Sequence, residues 1–512
     1  MVSVLHDGLE ATAAGAPAST ALRVGDEDWT YARLDAASNG FARHLQLVGV
    51  GVGDRVALMA SNRAELVIAV MAVSKVGAAT VLISPAWKAA EVGHALALTQ
   101  PMHAIAEGSG IPLLAGVTDG LTALDDVLRR ADAQDTTAVP RPDVSDDAEA
   151  VLVFSSGTTG LPKAVRHTHR SMGRATQTWV EALGLTADDR FQIATPPSHI
   201  LGLLNLLAAA EAGASVRLHR RFDLTAVLDH IESERMTLEM AVAPIALAMA
   251  NDPTIASRDL SSLRYIMWGA TPVTESVAQR VTELTGVRWL CAYGASELPV
   301  IAANPVHEPD RWRLDSAGLP APGVELRVVD LDTGAVLAPG GIGEIQARSE
   351  SLMAGYLPDV ANADAFDDGW YRTGDVGWLE EDGWVHLTDR SKEMIKVNGF
   401  QVAPAEIEAV LHGHPAVLDC AVFGLPDPRS GEVPVAAVQL SEDIDTAQLA
   451  ALVAESLATY KQLRHVVVVD TIPRLPSGKV LRRTLRDEWA PRLATVIDVT
   501  RSPAPGAPTG AR

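Results

Sequence analysis

Short apolar runs alternate with longer mixed stretches through residues 29–300, and each run carries polar or glycine punctuation at its end. Trp29-Thr30-Tyr31-Ala32 followed by Leu34 reads as a strand running into a helix. Asp54 to Met59 reads as a strand after a Gly-rich turn, and a helix near residues 63–76 leads to the run Ala79 to Ile83. Alternation of this kind predicts an α/β fold with parallel pairing. Residues 131–149 are polar and acidic, with two prolines, and predict an exposed connection. Ala150 to Phe154 is the next buried strand. Residues 191–214 give a strand, a Pro-Pro turn and an apolar helix, with Ser198-His199-Ile200 at the turn. Ala241 to Pro244, Tyr265 to Trp268 and Leu290 to Tyr293 read as further strands. Ligands bind outside the carboxyl ends of strands in open α/β sheets, so these strand-end turns predict one shared crevice.

The pattern changes at Pro320. Val324 to Val329, Ile342 to Ala347, Trp378 and Trp384 to Leu387 are short β-like runs between Gly, Pro and Asp turns. After Asp389-Arg390-Ser391-Lys392-Glu393 comes a small α+β unit. It has helices at Ile407 to Leu411 and Leu449 to Leu457, and strands at Leu418 to Phe423, Val435 to Leu440 and Val466 to Val469. The expected layout is a large N-terminal domain over 1–390, made of α/β sheets flanked by helices, with a β-rich subdomain at about 320–390. A C-terminal domain over 391–500 follows, then a disordered tail over 501–512, where Pro, Gly and Ala dominate.

With 512 residues, of which 47% are hydrophobic, the chain can bury sizeable cores. A formal net charge of −22 argues against non-specific binding to nucleic acid or to an anionic membrane surface. A local cationic cleft for an anionic substrate remains compatible with it. Two cysteines, Cys291 and Cys420, provide neither metal-ligand spacing nor a disulfide framework, which fits a reducing cytoplasm. No basic n-region precedes an apolar stretch at the start, so no signal peptide is expected. Residues 64–83 are the most apolar, but they contain Glu65, Lys75 and Gly77. They predict a buried helix and strand, not a membrane span.

The chemistry concentrates in Ser155-Ser156-Gly157-Thr158-Thr159-Gly160-Leu161-Pro162-Lys163. Its glycines allow a tight backbone path that turns N–H groups toward one anion. Its hydroxyls add donors, and Lys163 adds a cation on a flexible stem. The segment reads as a phosphate cradle, although Gly-x-x-x-x-Gly-Lys-[Ser/Thr] is absent. A polar surface turn is the alternative from these residues alone.

Five blocks in order, Ser155–Lys163, Tyr293–Glu297, Tyr371–Asp375, Asp389–Glu408 and Pro473–Lys479, resemble the adenylate-forming superfamily. That superfamily comprises acyl-CoA synthetases, peptide-synthetase adenylation domains and firefly-type luciferases. The stretch Gly399 to Glu408 is most similar to coumarate–CoA and fatty acyl–CoA ligases. The resemblance covers about Thr30 to Arg483. It implies that ATP and a small-molecule carboxylic acid give an acyl-adenylate and pyrophosphate, after which a thiol, usually of CoA, displaces AMP.

The resemblance also implies roles. Ser155, Ser156, Gly157, Thr158, Thr159 and Lys163 would hold the β and γ phosphates, with Gly294 and Ser296 alongside. Glu297 would ligate Mg²⁺. Asp375 and Arg390 match ribose-contacting positions, and Gly269, Ala270 and Tyr293 match the adenine slot. Lys479 would bridge the carboxylate and the α-phosphate. His199 precedes the acid pocket, where it would gate the acid or accompany the thiol. Lys392 matches the hinge on which the small domain swings, and Lys396 a lysine used in the second geometry. Gly399 would line the thiol tunnel. Read without the resemblance, Tyr293 fits core packing equally well, and Lys392, Lys396, Gly399 and Lys479 fit an exposed surface.

Several positions depart from the pattern. Ala164 follows the cradle lysine where Gly is common, Arg166 is unusual nearby, and Ser296 stands for Thr with its hydroxyl kept. Ser198 replaces an aromatic and Leu201 replaces the Tyr of aromatic-acid ligases, which implies a pocket with one small polar wall. Transfer to the phosphopantetheine of a carrier protein is a second reading. ATP- and nitrite-dependent diazotisation of an arylamine is a third, and a non-catalytic nucleotide-binding scaffold a fourth.

Overall fold

Thr30 ends one strand and caps the next helix, its hydroxyl accepting from the Arg33 N–H at 3.2 Å. The same sequence logic recurs at Thr168, whose side chain accepts from the Ser171 N–H at the start of the helix His169–Leu183. Such caps satisfy N–H groups that a helix start leaves unpaired. The architecture is that of a computed structural model. It describes every residue except 1–3, 116–119, 156–161, 271–273, 391–392, 398–399, 428, 476–477 and 500–512, and no side chains at 389, 390, 401 and 494–499. The predicted tail lies outside the described residues.

The chain is mixed α/β and divides into two compact units, with the boundary after Lys392. Three sheets build the first unit. In the nine-stranded sheet, Arg190–Ile193, Leu238–Ala241, Tyr265–Trp268 and Trp289–Tyr293 lie side by side and parallel. In the seven-stranded sheet, Glu149–Ser155 pairs in parallel with Ala79–Leu82 and antiparallel with Lys163–Thr168. A five-stranded antiparallel sheet holds Glu325–Val329, Gly343–Arg348 and Trp370–Leu379, the last also paired with Val385–Arg390. Helices cover both large sheets because their strands are apolar on both faces, as at Val151, Leu152 and Val153. Trp268 and Trp289, ring centroids 5.1 Å apart, anchor one of the apolar clusters.

The second unit carries its own five-stranded sheet, built on the long hairpin Val417–Asp427 and Gly431–Leu440. Its helices are Pro404–His412, Thr446–Ser456 and Arg482–Val499. No element had been expected over the last of these.

Two expectations need correction. The strand read at Ala241 to Pro244 ends at Ala241, and a helix begins at Ala243. Pro244 sits in that helix's first turn, where its missing N–H costs nothing and its fixed φ suits the helix. The connection read over 131–149 is largely exposed, but Ala131, Val139 and Val144 are buried, and its first two residues end the helix Val127–Asp132. Both cysteines are buried thiols. Among the described residues no helix is long and apolar enough to cross a membrane.

Candidate active site

Ser155 ends the strand Glu149–Ser155 and is the register partner of Lys163, which opens the antiparallel strand Lys163–Thr168 of the same hairpin. Ser156, Gly157, Thr158 and Thr159 lie outside the described residues, as do Lys392 and Gly399. Lys163 extends its ammonium over the ring of Tyr356, 4.9 Å from the centroid. The same Tyr356 donates its hydroxyl to Glu297 Oε1 at 2.7 Å. One phenol therefore carries a cation on its face and a buried carboxylate at its tip. Tyr356 reaches this position because Gly355–Leu357 adds a strand to the hairpin, with Tyr356 opposite Val165. The Met353 N–H fixes the backbone at Glu297 by donating to its carbonyl at 2.9 Å.

Tyr293 ends the strand Trp289–Tyr293, and Glu297 lies on the turn that follows it. The Tyr293 hydroxyl donates to Asp375 Oδ2 at 2.5 Å. Asp375 is 7% exposed. Its N–H donates to Thr373 Oγ1 at 3.0 Å, and that hydroxyl donates to the Ile345 carbonyl. Arg390 is the cross-strand partner of Asp375, so register alone sets these two backbone positions opposite each other. Burial, with Glu297, Tyr356 and Asp375 nearby, holds the Tyr371 phenol well above its usual pKa.

His167 ties the hairpin to this turn. Its Nε2 meets the Ser296 carbonyl at 2.7 Å and its Nδ1 the Ser171 hydroxyl at 3.0 Å. Burial lowers its pKa to about 4, so the ring is neutral at neutral pH. Neither Tyr356 nor His167 had been singled out from the sequence.

Gly294 has a packing reason: an added Cβ would stand 2.1 Å from the Pro299 carbonyl oxygen. At Gly269 a Cβ would come within 3.2 Å of Met267 Sδ. Ala270, next to it, is exposed and adopts φ +66°. A left-handed alanine costs about 1 kcal/mol and marks a strained turn at the strand end.

His199 precedes the helix Ile200–Ala212, and its N–H closes a turn onto the Pro196 carbonyl at 3.0 Å. Burial lowers the pKa of its ring. In the second unit, Lys479 lies 3.5 Å from Glu393 Oε1. Glu393 also pairs with Arg482, which bonds Glu408 at 2.7 Å. Lys396 is exposed, on the strand Ile395–Val397.

The model for AMP-binding enzymes matches residues 9–357, and that for the AMP-binding enzyme C-terminal domain matches residues 406–479. The chain belongs to the adenylate-forming superfamily. The adenylate-forming chain is 34% identical over 506 residues to 4-coumarate–CoA ligase 3 of Oryza sativa subsp. japonica, covering 94% of this chain and 90% of that one. Among solved structures it is similar to ATP-bound MatB from Rhodopseudomonas palustris, with a TM-score of 0.89 at 26% identity, over 96% of this chain and 99% of the other. It is similar to the same extent, at 28% identity, to the anthranilate CoA ligase AuaEII in complex with anthranoyl-AMP, over 96% and 99% of the two chains. These likenesses span both units of the adenylate-forming chain.

Glu297 suits a hard divalent cation. It presents carboxylate oxygens, and only Oε1 is held by a hydrogen bond among the described residues.

Proposed function

We propose that this enzyme activates a carboxylic acid with ATP and passes the acyl group to the thiol of CoA. A carboxylate oxygen attacks the α-phosphorus, and the bond to the β-phosphate oxygen breaks to release pyrophosphate. The thiolate sulfur then attacks the acyl carbon, the bond to the phosphate oxygen breaks, and AMP leaves. The observation that carries this reading is the pairing of Lys163 and Glu297 on Tyr356, a cation and a carboxylate held on one phenol.

Ser155 and Lys163, with Ser156, Gly157, Thr158 and Thr159 between them in the sequence, bind the β and γ phosphates. Asp375 accepts from the ribose hydroxyls and is oriented for it by Tyr293. Gly269 and Ala270 border the adenine. Glu297 would hold Mg²⁺, which when bound would neutralise charge on the triphosphate. Lys479 stabilises the charge that builds on the α-phosphate as the acid attacks. Similarity to ligases named for CoA supports CoA as the acceptor.

The test is AMP release measured across carboxylic acids, with and without CoA, and with nitrite plus arylamines as a separate arm. Acid-dependent release with a CoA thioester as product is the expected result. Release that needs nitrite and no CoA would replace this reading with diazotisation.

A further inference from the structure

The turn between the Arg190–Ile193 strand and the helix Ile200–Ala212 carries buried hydrogen-bonding groups that have no partner among the described residues. Thr195 is 8% exposed and Ser198 is 7% exposed, and neither hydroxyl has a partner among the described residues. The Nε2 of His199 is likewise buried and unpartnered. Buried hydroxyls are rarely left unpaired, because each costs about 1–3 kcal/mol in lost hydration. The backbone here is already fixed without them. Asn62 Nδ2 donates to the Ile193 and Thr195 carbonyls, and the His199 N–H closes onto Pro196.

The following helix has 13 residues and begins at Ile200. Its first N–H groups have no intrahelical partner, and its dipole favours negative charge at that end. Hydroxyl donors and helix-start donors thus fall within one short stretch of chain. The stretch lies at the carboxyl edge of the nine-stranded sheet, the edge that also carries Gly269 and Tyr293. Three strand spacings separate it from the Tyr293 end, roughly 14 Å at ~4.8 Å each.

We infer that Thr195, Ser198 and the start of the Ile200–Ala212 helix receive a hydrogen-bond acceptor that the acid carries away from its reacting carboxylate. This rests on the reading of the enzyme as an acid-activating ligase. The acceptor is a carbonyl, nitro or second carboxylate oxygen, and the acid is not a plain hydrocarbon acid. Leu201, packed between two apolar clusters, supplies the apolar surface beside it.

The experiment compares matched acids, each bearing a distal carboxylate, keto or nitro group, with their unsubstituted parents. Two readouts are taken: AMP release, as kcat/KM, and the thermal shift each acid produces without turnover. Wild-type enzyme should prefer at least one substituted acid. In a T195V/S198A variant the ratio of substituted to parent acid should fall roughly tenfold to a hundredfold, and Ser198→Thr, which keeps the hydroxyl, should retain it. A merely structural role would weaken both acids equally and leave the ratio unmoved. An unmoved ratio, or a wild-type preference for the parents, overturns the inference. Absence of AMP release with every acid overturns the ligase reading alone, since the thermal-shift ratio still decides the site.

Discussion

Tyr293 donates its phenolic hydroxyl to Asp375 at 2.5 Å, and so joins two sheets that have no strand in common. Tyr293 ends a parallel strand of the nine-stranded sheet, whereas Asp375 sits inside a strand of the five-stranded antiparallel one. A buried carboxylate with no donor is costly, and the Tyr293 phenol supplies Asp375 Oδ2 with one. The bond makes Tyr293 a positioning residue for Asp375 in addition to any contact with adenine.

Tyr293→Phe removes that donor and keeps the ring. A hydrogen bond to a charged group is worth about 1.5–3 kcal/mol, so KM for ATP should rise roughly tenfold or more while kcat changes little. ATP-dependent pyrophosphate exchange, measured against ATP concentration, reads both. An unchanged KM would mean that Asp375 holds its orientation without Tyr293.

Glu297→Gln keeps the acceptor for Tyr356 and removes the charge. Loss of an outer-shell partner alone weakens metal sites about 10–100-fold, so the Mg²⁺ concentration for half-maximal pyrophosphate exchange should rise at least tenfold. Tyr356→Phe should raise it less, because the carboxylate stays in place. Identical Mg²⁺ titrations for wild type and Glu297→Gln would remove Glu297 from the metal site.

The parallel strands with their strand-end turns and the small C-terminal sheet were legible because each is written in local composition, as apolar runs between turn residues. Tyr356 was not legible. It meets Glu297 through the register Tyr356 to Val165, a pairing between segments far apart in the chain. His167 escaped notice for the same reason, since its partner at Ser296 comes from another sheet's turn. The boundary at Ala241 was misplaced because Ala, Val and Pro read equally as the end of a strand or the first turn of a helix. The unpaired hydroxyls of Thr195 and Ser198 could be suspected from residue type, but their burial is a property of packing.

Lys479→Ala should lower adenylation by roughly a hundredfold to a thousandfold, the range for deleting one group aimed at developing charge. Its contact with Glu393 is partly exposed, and such pairs contribute about 1 kcal/mol or less. Arg482 continues to pair with Glu393 in the variant, so the thermal midpoint should hardly move. Pyrophosphate exchange at the wild-type rate would exclude Lys479 from the first half-reaction.

Glu239 gives a stability prediction separate from catalysis. It is 1% exposed and accepts from Gln192 Nε2 at 2.8 Å, while Gln192 Oε1 meets His219 Nε2 at 2.6 Å. Burial raises its pKa from 4.5 to about 8, against the opposing hydrogen bonds from Gln192 and Met240. The folded state thus keeps a proton that the unfolded chain gives up near pH 4.5. The associated stability is fully present below pH 4.5 and is lost as pH rises through about 8. Several buried histidines, such as His167, act in the opposite sense at lower pH, so the informative quantity is the difference between variant and wild type. Glu239→Gln retains an acceptor for Gln192 and cannot ionise. Relative to wild type, its unfolding free energy in urea should climb between pH 5 and pH 8.5 by on the order of a few kcal/mol. Parallel curves for the two proteins over that interval would mean that the carboxyl ionises in the folded state no later than in the unfolded one.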